Sequence, residues 1–201
     1  DLRRTTRKST ALYLRSFLRY LHGRGLLNRD LSTAIIAPRV YALEDIPSAL
    51  SSEDVTAVLK TARQDLSAKG LRDFAILTLL STYGLRAGEI TALCLEDIDW
   101  RREQVRVRHS KTGHETLLPL VKPVGDALLD YLQKGRPNVE AREVFIRARA
   151  PYRPLHNGSS LYTGIVRHLE RAGVKWQGKH GPHAFRHARA VSLLRVAVPS
   201  K

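Results

Sequence analysis

The chain has 201 residues, 43% of them hydrophobic, so it is long enough to bury a core of its own. Its 34 Lys and Arg against 19 Asp and Glu leave a formal net charge of +15, which favours a polyanionic partner, first of all nucleic acid. An anionic membrane surface is the second candidate, but no apolar run approaches the ~20 residues of a membrane-spanning helix, and no basic-then-apolar signal segment opens the chain.

The first predicted element is one strongly basic amphipathic helix within residues 1–25, whose apolar side chains follow the helical spacing. One such helix cannot bury its apolar stripe alone, so we expect it to be the last helix of a helical domain. The chain contains no methionine and begins at Asp1, which leads us to expect a piece of a longer protein. Residues 26–50 lack sustained periodicity and contain Pro38 and Pro47, which predicts a linker.

A second domain, residues 51–201, is predicted to begin with a helix that Ser51 caps, since an acidic residue follows three places on. Residues 71–83 are apolar nearly all round, which is typical of a central buried helix. Gly84 is well placed to end this helix. Arg86 therefore falls at the junction with the short helix expected next.

The middle of the chain changes to the alternation of strands. Cys94 lies in an apolar run, which predicts a buried thiol, and one cysteine excludes a disulfide framework or a cysteine zinc site within one chain. The pattern of residues 104–108 and 116–120 predicts a hairpin, and that of residues 144–146 predicts a short strand. Helical patterns return at 124–132, 161–172 and 184–196. The predicted fold class is mainly α with a small antiparallel β-sheet (α+β).

Four basic side chains from three segments carry the functional signal. His183 and Arg186 lie three residues apart, on one face of a predicted helix that Pro182 begins. Arg86 lies far upstream at the helix junction, and Lys111 lies in the predicted hairpin turn. Two arginines, a histidine and a lysine suit one task, which is to hold a phosphodiester while its charge rises.

Plainer interpretations exist for each of these residues. Arg86 could be a solvated helix cap, although Glu89, three residues on, could hold its guanidinium in place. His180, His183 and His187 could instead bind zinc, because two of them have the i, i+4 spacing of helical zinc ligands. No carboxylate or cysteine lies nearby in sequence to complete such a site, and the neighbourhood is cationic.

Three short sequence motifs, in their order along the chain, resemble those of a known protein family. Residues 82–90 (TYGLRAGEI), 110–113 (SKTG) and 183–187 (HAFRH) together resemble the tyrosine recombinase (phage integrase) family. The resemblance covers residues 50–201, and the first helix resembles the last helix of the family's DNA-clamping domain. It implies a site-specific recombinase or integrase that breaks and rejoins double-stranded DNA through a 3′-phosphotyrosyl intermediate. It further implies dimers or tetramers on DNA, no metal or nucleotide cofactor, no membrane, and a cytoplasmic, nucleoid-associated protein.

The resemblance also implies a role for each matching residue. Arg86 and Arg186 would bind the non-bridging oxygens of the scissile phosphate, and His183 would hydrogen-bond the same phosphate and assist proton transfer. Lys111 would act as the general acid that protonates the departing 5′ oxygen. Glu89 and His187 would support the site, the first by orienting it and the second by packing.

One departure from the family pattern is large. The family's nucleophilic tyrosine follows the second arginine by a few dozen residues, whereas all seven tyrosines here precede Arg186 and the sequence stops at Lys201. We therefore expect the nucleophile to lie outside this chain and the chain alone to be inactive. Two alternatives stay open: a DNA-binding regulator of the same fold that has lost the chemistry, and a type IB topoisomerase-like enzyme.

We expect further DNA contacts where positively charged side chains cluster. Arginines around the hairpin and in the loop after it are candidates for contacts to the DNA backbone, which give affinity without sequence choice. The plainer interpretation of each is a solvated side chain. These candidates are Arg101, Arg102, Arg106, Arg108, Arg147, Arg149 and Arg153.

Overall fold

The computed structural model describes residues 2, 4–39, 50–109, 113–156, 158–175 and 181–197. The chain divides into two compact units, Asp1–Pro47 and Ser48–Lys201. The helices are α1 (Arg4–Gly23), α2 (Ser52–Arg63), α3 (Ala68–Tyr83), α4 (Ala87–Thr91), α5 (Lys122–Asp130), α6 (Gly158–Arg171) and α7 (Pro182–Ala197). The strands are β1 (Ile98–Asp99), β2 (Gln104–Arg108) and β3 (Glu115–Pro119).

The first unit consists of α1 and a short 3₁₀ turn, Leu31–Ala34. The guanidinium of Arg15 donates to the carbonyl of Ile35 from both Nε and Nη2, at 3.0 and 2.6 Å, and so holds the turn against the helix. Among the described residues of α1 only Ala11 is fully buried, whereas Tyr13 and Phe17 are largely exposed. Most of the apolar stripe that the sequence predicts is therefore open in this unit.

The second unit is built around α3. Ten of the sixteen residues of this helix are buried, because apolar side chains occupy nearly its whole circumference. The predicted central helix is confirmed, and it begins earlier than expected because the Ser67 hydroxyl accepts the backbone N–H of Gly70 at 3.0 Å. The predicted cap of α2 is also present, since Ser51 and Asp54 form a capping box.

A three-stranded antiparallel sheet in the order β1-β2-β3 lies beside the helices. Its β2–β3 pair is the predicted hairpin, and β1 is a strand that the sequence analysis missed because it has only two residues. Val105 and Val107 of β2 are fully buried, so alternate β2 residues face the core.

The predicted strand at residues 144–146 is wrong. All three residues are fully buried, but their neighbourhood forms only isolated bridges, at Glu143 and Ile146. The burial that suggested a strand comes from packing instead: the ring of Phe145 stacks on Tyr131 with centroids 5.6 Å apart. Cys94 likewise departs from prediction, since it is half-buried; this burial, with nearby acidic residues, raises the pKa of its thiol.

A buried ion cluster joins α3 to α6. Arg72 donates to Asp73 Oδ1 from Nε and Nη2, at 3.1 and 2.8 Å, and its Nη1 donates to the carbonyl of Ile146 at 3.1 Å. Arg167 donates to the other carboxylate oxygen at 2.7 Å, and His168 Nε2 lies 3.5 Å from that oxygen. Burial alone would raise the pKa of Asp73, but His168 and Arg72 outweigh it and lower the pKa below its ordinary value.

Among the residues that the structure describes, no helix is both long and apolar enough to cross a membrane.

Candidate active site

The site is built around the end of α3. Gly84 caps this helix in the left-handed conformation, with φ 65°, and its N–H donates to the carbonyl of Leu80 at 2.9 Å. A Cβ at this position would lie 3.5 Å from the Cβ and Cγ atoms of Arg189 on α7. That distance is an ordinary van der Waals contact, so glycine is suited to the position by its backbone angle.

Arg86, two residues later, is the N-cap of α4 and has an extended backbone conformation. Glu89 accepts the backbone N–H of Arg86 at 2.7 Å with Oε2 and the Nη1 of the same residue at 2.8 Å with Oε1. The Glu89 side chain is 3% exposed and the Arg86 side chain 45% exposed. The carboxylate is therefore enclosed, while the guanidinium that it orients faces outward.

The loop end of the β2–β3 hairpin reaches the same carboxylate. His109 Nδ1 lies 2.8 Å from Glu89 Oε1, and Nε2 of the same ring lies 2.8 Å from the hydroxyl oxygen of Thr116 on β3. Burial alone would raise the pKa of Glu89, but hydrogen bonds from Arg86 and His109 lower it below its ordinary value. Glu89 is therefore an anion at neutral pH. Lys111, two residues beyond His109, lies outside the described residues.

The N-terminal end of α7 forms the third side of the site. Gly181, with φ 94°, precedes the helix, and Ala184 and Phe185 anchor its first turn in the core. His183 is exposed, and Arg186 and His187 are half-buried. These three residues therefore lie away from the buried anchor of the helix.

A direct contact joins α7 to the Arg86 junction. Arg186 Nη1 donates to the carbonyl of Gly84 at 2.6 Å, only two residues before Arg86. The structure thus brings together three segments that are far apart in sequence: the α3–α4 junction, the loop end of the hairpin at His109 and the start of α7. Each guanidinium keeps N–H groups beyond the one used here, and such groups suit the paired oxygens of a phosphate.

Three of the four candidate DNA contacts around the hairpin, Arg102, Arg106 and Arg108, form ion pairs. Arg108 Nη2 lies 2.6 Å from the buried carboxylate of Asp97, and Arg106 Nε lies 3.8 Å from it. Arg102 Nη1 lies 3.7 Å from Asp99, whose carboxylate also accepts the backbone N–H of Arg101 at 3.1 Å.

The loop candidates have a different setting. Arg147 and Arg149 line an open groove of about 350 Å³ together with Lys69 of α3 and the hydroxyl residue Thr163 of α6. Partial burial lowers the pKa of Lys69, and repulsion by neighbouring cations including Arg149 adds to this effect. Arg153, the last loop candidate, is exposed and accepts the backbone N–H of Arg147 with its carbonyl at 2.9 Å.

The zinc alternative gains no support from the described residues. Within the part of the chain that the structure describes, no three His, Cys, Asp or Glu side chains are grouped so as to hold a metal ion. His180 lies outside that part.

Sequence reasoning missed His109 and its partner Thr116. The signal was available in the strand pattern, because His109 continues the alternation of the buried Val105 and Val107. A polar side chain on the core-facing side of a strand needs a hydrogen-bond partner. The hydrogen bond from Arg186 to the Gly84 carbonyl could not be predicted in this way, because every residue has a backbone carbonyl.

Comparison with known proteins identifies the family. The phage integrase family model matches residues 48–201. A predicted integrase/recombinase of Sinorhizobium fredii, y4gC, is 58% identical over 156 residues, which make up 78% of this chain and 80% of the relative. The tyrosine recombinase XerD of Mycobacterium tuberculosis is 31% identical over 189 residues, 90% of this chain and 58% of the relative. The chain thus spans little more than half of XerD.

Solved structures agree on the fold. The crystal structure of XerA recombinase has a TM-score of 0.63 and 22% identity, over 95% of this chain and 63% of that one. A lambda integrase dimer bound to a COC′ core site has a TM-score of 0.69 and 16% identity, over 95% of this chain and 52% of that one. The predicted fold class, mainly helical with one small antiparallel sheet, is confirmed, and the chain belongs to the phage integrase family.

Proposed function

We propose that this chain is the phosphate-handling part of a site-specific DNA recombinase or integrase, which breaks and rejoins double-stranded DNA through a 3′-phosphotyrosyl intermediate. One observation carries the proposal: Arg86 and His109 both contact the enclosed carboxylate of Glu89. Arg186 contacts the carbonyl of Gly84, two residues before Arg86. The net charge of +15 supports a DNA partner.

In the proposed reaction a tyrosine oxygen attacks the scissile phosphorus. The P–O5′ bond breaks as the P–O(Tyr) bond forms, and Lys111 gives its proton to the departing 5′ oxygen. Arg86 and Arg186 bind the non-bridging oxygens, where they offset the charge that builds in the transition state. His183 hydrogen-bonds the phosphate and helps to remove the tyrosine proton, while Glu89 and His187 support the site. The bond energy is kept in the phosphotyrosyl link, so this route needs neither metal nor nucleotide.

The names of the neighbours support the assembly on DNA that we propose. One solved neighbour is a lambda integrase tetramer bound to a Holliday junction, and another is a XerH recombinase bound to its difH substrate. By analogy we propose that the full-length protein works on DNA as dimers and tetramers, in the cytoplasm and on the nucleoid. Residues 1–25 would belong to a DNA-clamping domain, 26–50 to a linker and 51–201 to the catalytic domain.

The test uses the full-length protein and a target duplex nicked so that the covalent adduct accumulates. Arg86→Ala and Arg186→Ala should each slow adduct formation about 10²–10³-fold, because each removes a preorganised donor to the transition state. DNA affinity, measured by gel shift, should fall far less. A matched control is Arg142→Ala, an exposed arginine paired with Glu96, which should form adducts at the wild-type rate.

Three outcomes would count against the proposal. Wild-type protein that binds the target but never forms an adduct would support a DNA-binding regulator. Adducts at normal rates in both arginine variants would refute the site assignment. Relaxation of a supercoiled plasmid without recombination of two target sites would favour a topoisomerase.

A further inference from the structure

We propose that His109 is a positioning residue that fixes Glu89 and, through it, the guanidinium of Arg86. The inference rests on the proposed function for its kinetic consequence, but its geometry can be tested without that function. His109 directly follows β2 at the loop end of the hairpin, and each of its ring nitrogens lies 2.8 Å from a polar oxygen, one on α4 and one on β3.

The position of the hydrogen on the neutral ring follows from its partners. Glu89 is an anion and can only accept, so Nδ1 of His109 must carry the hydrogen that joins them. In the neutral ring Nε2 is then an acceptor, and the hydroxyl of Thr116 donates to it. The neutral ring has one tautomer that satisfies both neighbours.

The backbone of His109 is also held by hydrogen bonds. Its backbone N–H donates to the carbonyl of His114 at 2.8 Å, and its carbonyl accepts the N–H of Gly113 at 2.9 Å. A ring that is held by its backbone and by Thr116 cannot move with Glu89. It therefore limits how far the carboxylate can rotate.

This limit matters because one carboxylate oxygen serves two donors. Glu89 Oε1 accepts from Nδ1 of His109 and from Nη1 of Arg86, both at 2.8 Å. The Arg86 side chain is 45% exposed, so solvent does little to hold it in one geometry. With His109 in place, the carboxylate presents a stationary oxygen, and the guanidinium keeps one orientation toward a bound phosphate.

Two isosteric substitutions separate the two bonds of the ring. In His109→Asn the amide nitrogen can take the place of Nδ1 and donate to Glu89, but the bond to Thr116 is lost. In His109→Gln the amide reaches toward Thr116, but the donor to Glu89 is lost. We expect His109→Gln to slow adduct formation in the full-length protein about 10–100-fold and His109→Asn to retain most of the rate. His114→Ala, an exposed histidine of the same hairpin, should match wild type.

A second substrate distinguishes action through Arg86 from action through the hairpin tip. A 5′-bridging phosphorothiolate has a better leaving group, so it should rescue Lys111→Ala, which lacks the proposed general acid. It should leave the defect of His109→Gln in place, because orientation of Arg86 is still lost. Rescue of His109→Gln, or equal rates in the Asn and Gln variants, would overturn the inference.

The geometry is tested separately by ¹⁵N NMR of the imidazole rings in the 201-residue chain. The inference requires the hydrogen of His109 to lie on Nδ1 and this preference to disappear in Glu89→Ala. A neutral ring whose hydrogen lies on Nε2, or a tautomer unaffected by Glu89→Ala, would refute it even if the full-length protein forms adducts. If the tautomer is as expected but wild type forms none, the proposed function fails and the Glu89–His109 contact stands.

Discussion

Two clusters in this protein use the same three residue types, a carboxylate, an arginine and a histidine, yet they differ in what they leave open. Around Asp73, the Arg72 side chain is 8% exposed and three of its nitrogens have acceptors inside the protein. Around Glu89, the carboxylate is just as enclosed, but the Arg86 side chain is 45% exposed and only its Nη1 is bonded to the carboxylate.

The difference shows what an ion pair needs if it is to bind an external anion. A guanidinium whose donors all have internal acceptors can only stabilise the fold. A guanidinium held by one corner, with its other donors facing outward, can bind an external anion such as a phosphate. Exposure of the cation, rather than burial of the anion, separates the two clusters.

The largest expected effect breaks the buried cluster. Asp73→Asn leaves Arg72 buried without a counter-charge, so the free energy of unfolding should fall by about 3–5 kcal/mol. Glu89→Gln should cost only about 1–2 kcal/mol, because Arg86 can turn to water when its partner is neutral. Urea unfolding of the 201-residue chain measures both values. Equal losses in the two variants would mean that the clusters do not differ in the way described.

A second prediction concerns acid. The folded-state pKa of Asp73 lies below its ordinary value of 3.8, so the stability that this carboxylate contributes is complete above that value. It is lost as the pH falls through the lower folded-state pKa. The free energy of unfolding of Asp73→Asn should therefore fall less steeply below about pH 4 than that of wild type. Urea titrations at a series of pH values test this, and parallel acid limbs would contradict it.

The smallest expected effect extends the comparison to the DNA-contact candidates. Arg149 lines an open groove, whereas Arg108 lies 2.6 Å from the carboxylate of Asp97. Arg149→Ala should therefore reduce the slope of log affinity for duplex DNA against log salt by about 1, and Arg108→Ala by clearly less. Gel-shift titrations at several salt concentrations measure both slopes, and a larger change for Arg108→Ala would reverse the ranking.

Much of the fold was predictable because its signals are local. The all-round apolar pattern of α3, the cap at Ser51 and the glycine that ends α3 each follow from a few neighbouring residues. The segment at residues 144–146 was misread because burial by packing and burial in a sheet leave the same apolar run. The contacts of His109 with Glu89 and of Arg186 with Gly84 join residues 20 and 102 positions apart. No local pattern encodes such contacts.

The left-handed turn at Gly84 has a consequence for the entropy of binding. Its carbonyl holds one corner of the Arg186 guanidinium at 2.6 Å before any ligand arrives. A free arginine side chain gives up as much as about 2 kcal/mol of rotamer freedom when it is immobilised. Here much of that loss accompanies folding, so less of it would oppose the phosphate binding that we propose. The carbonyl of Gly84 thereby helps to orient the guanidinium of Arg186.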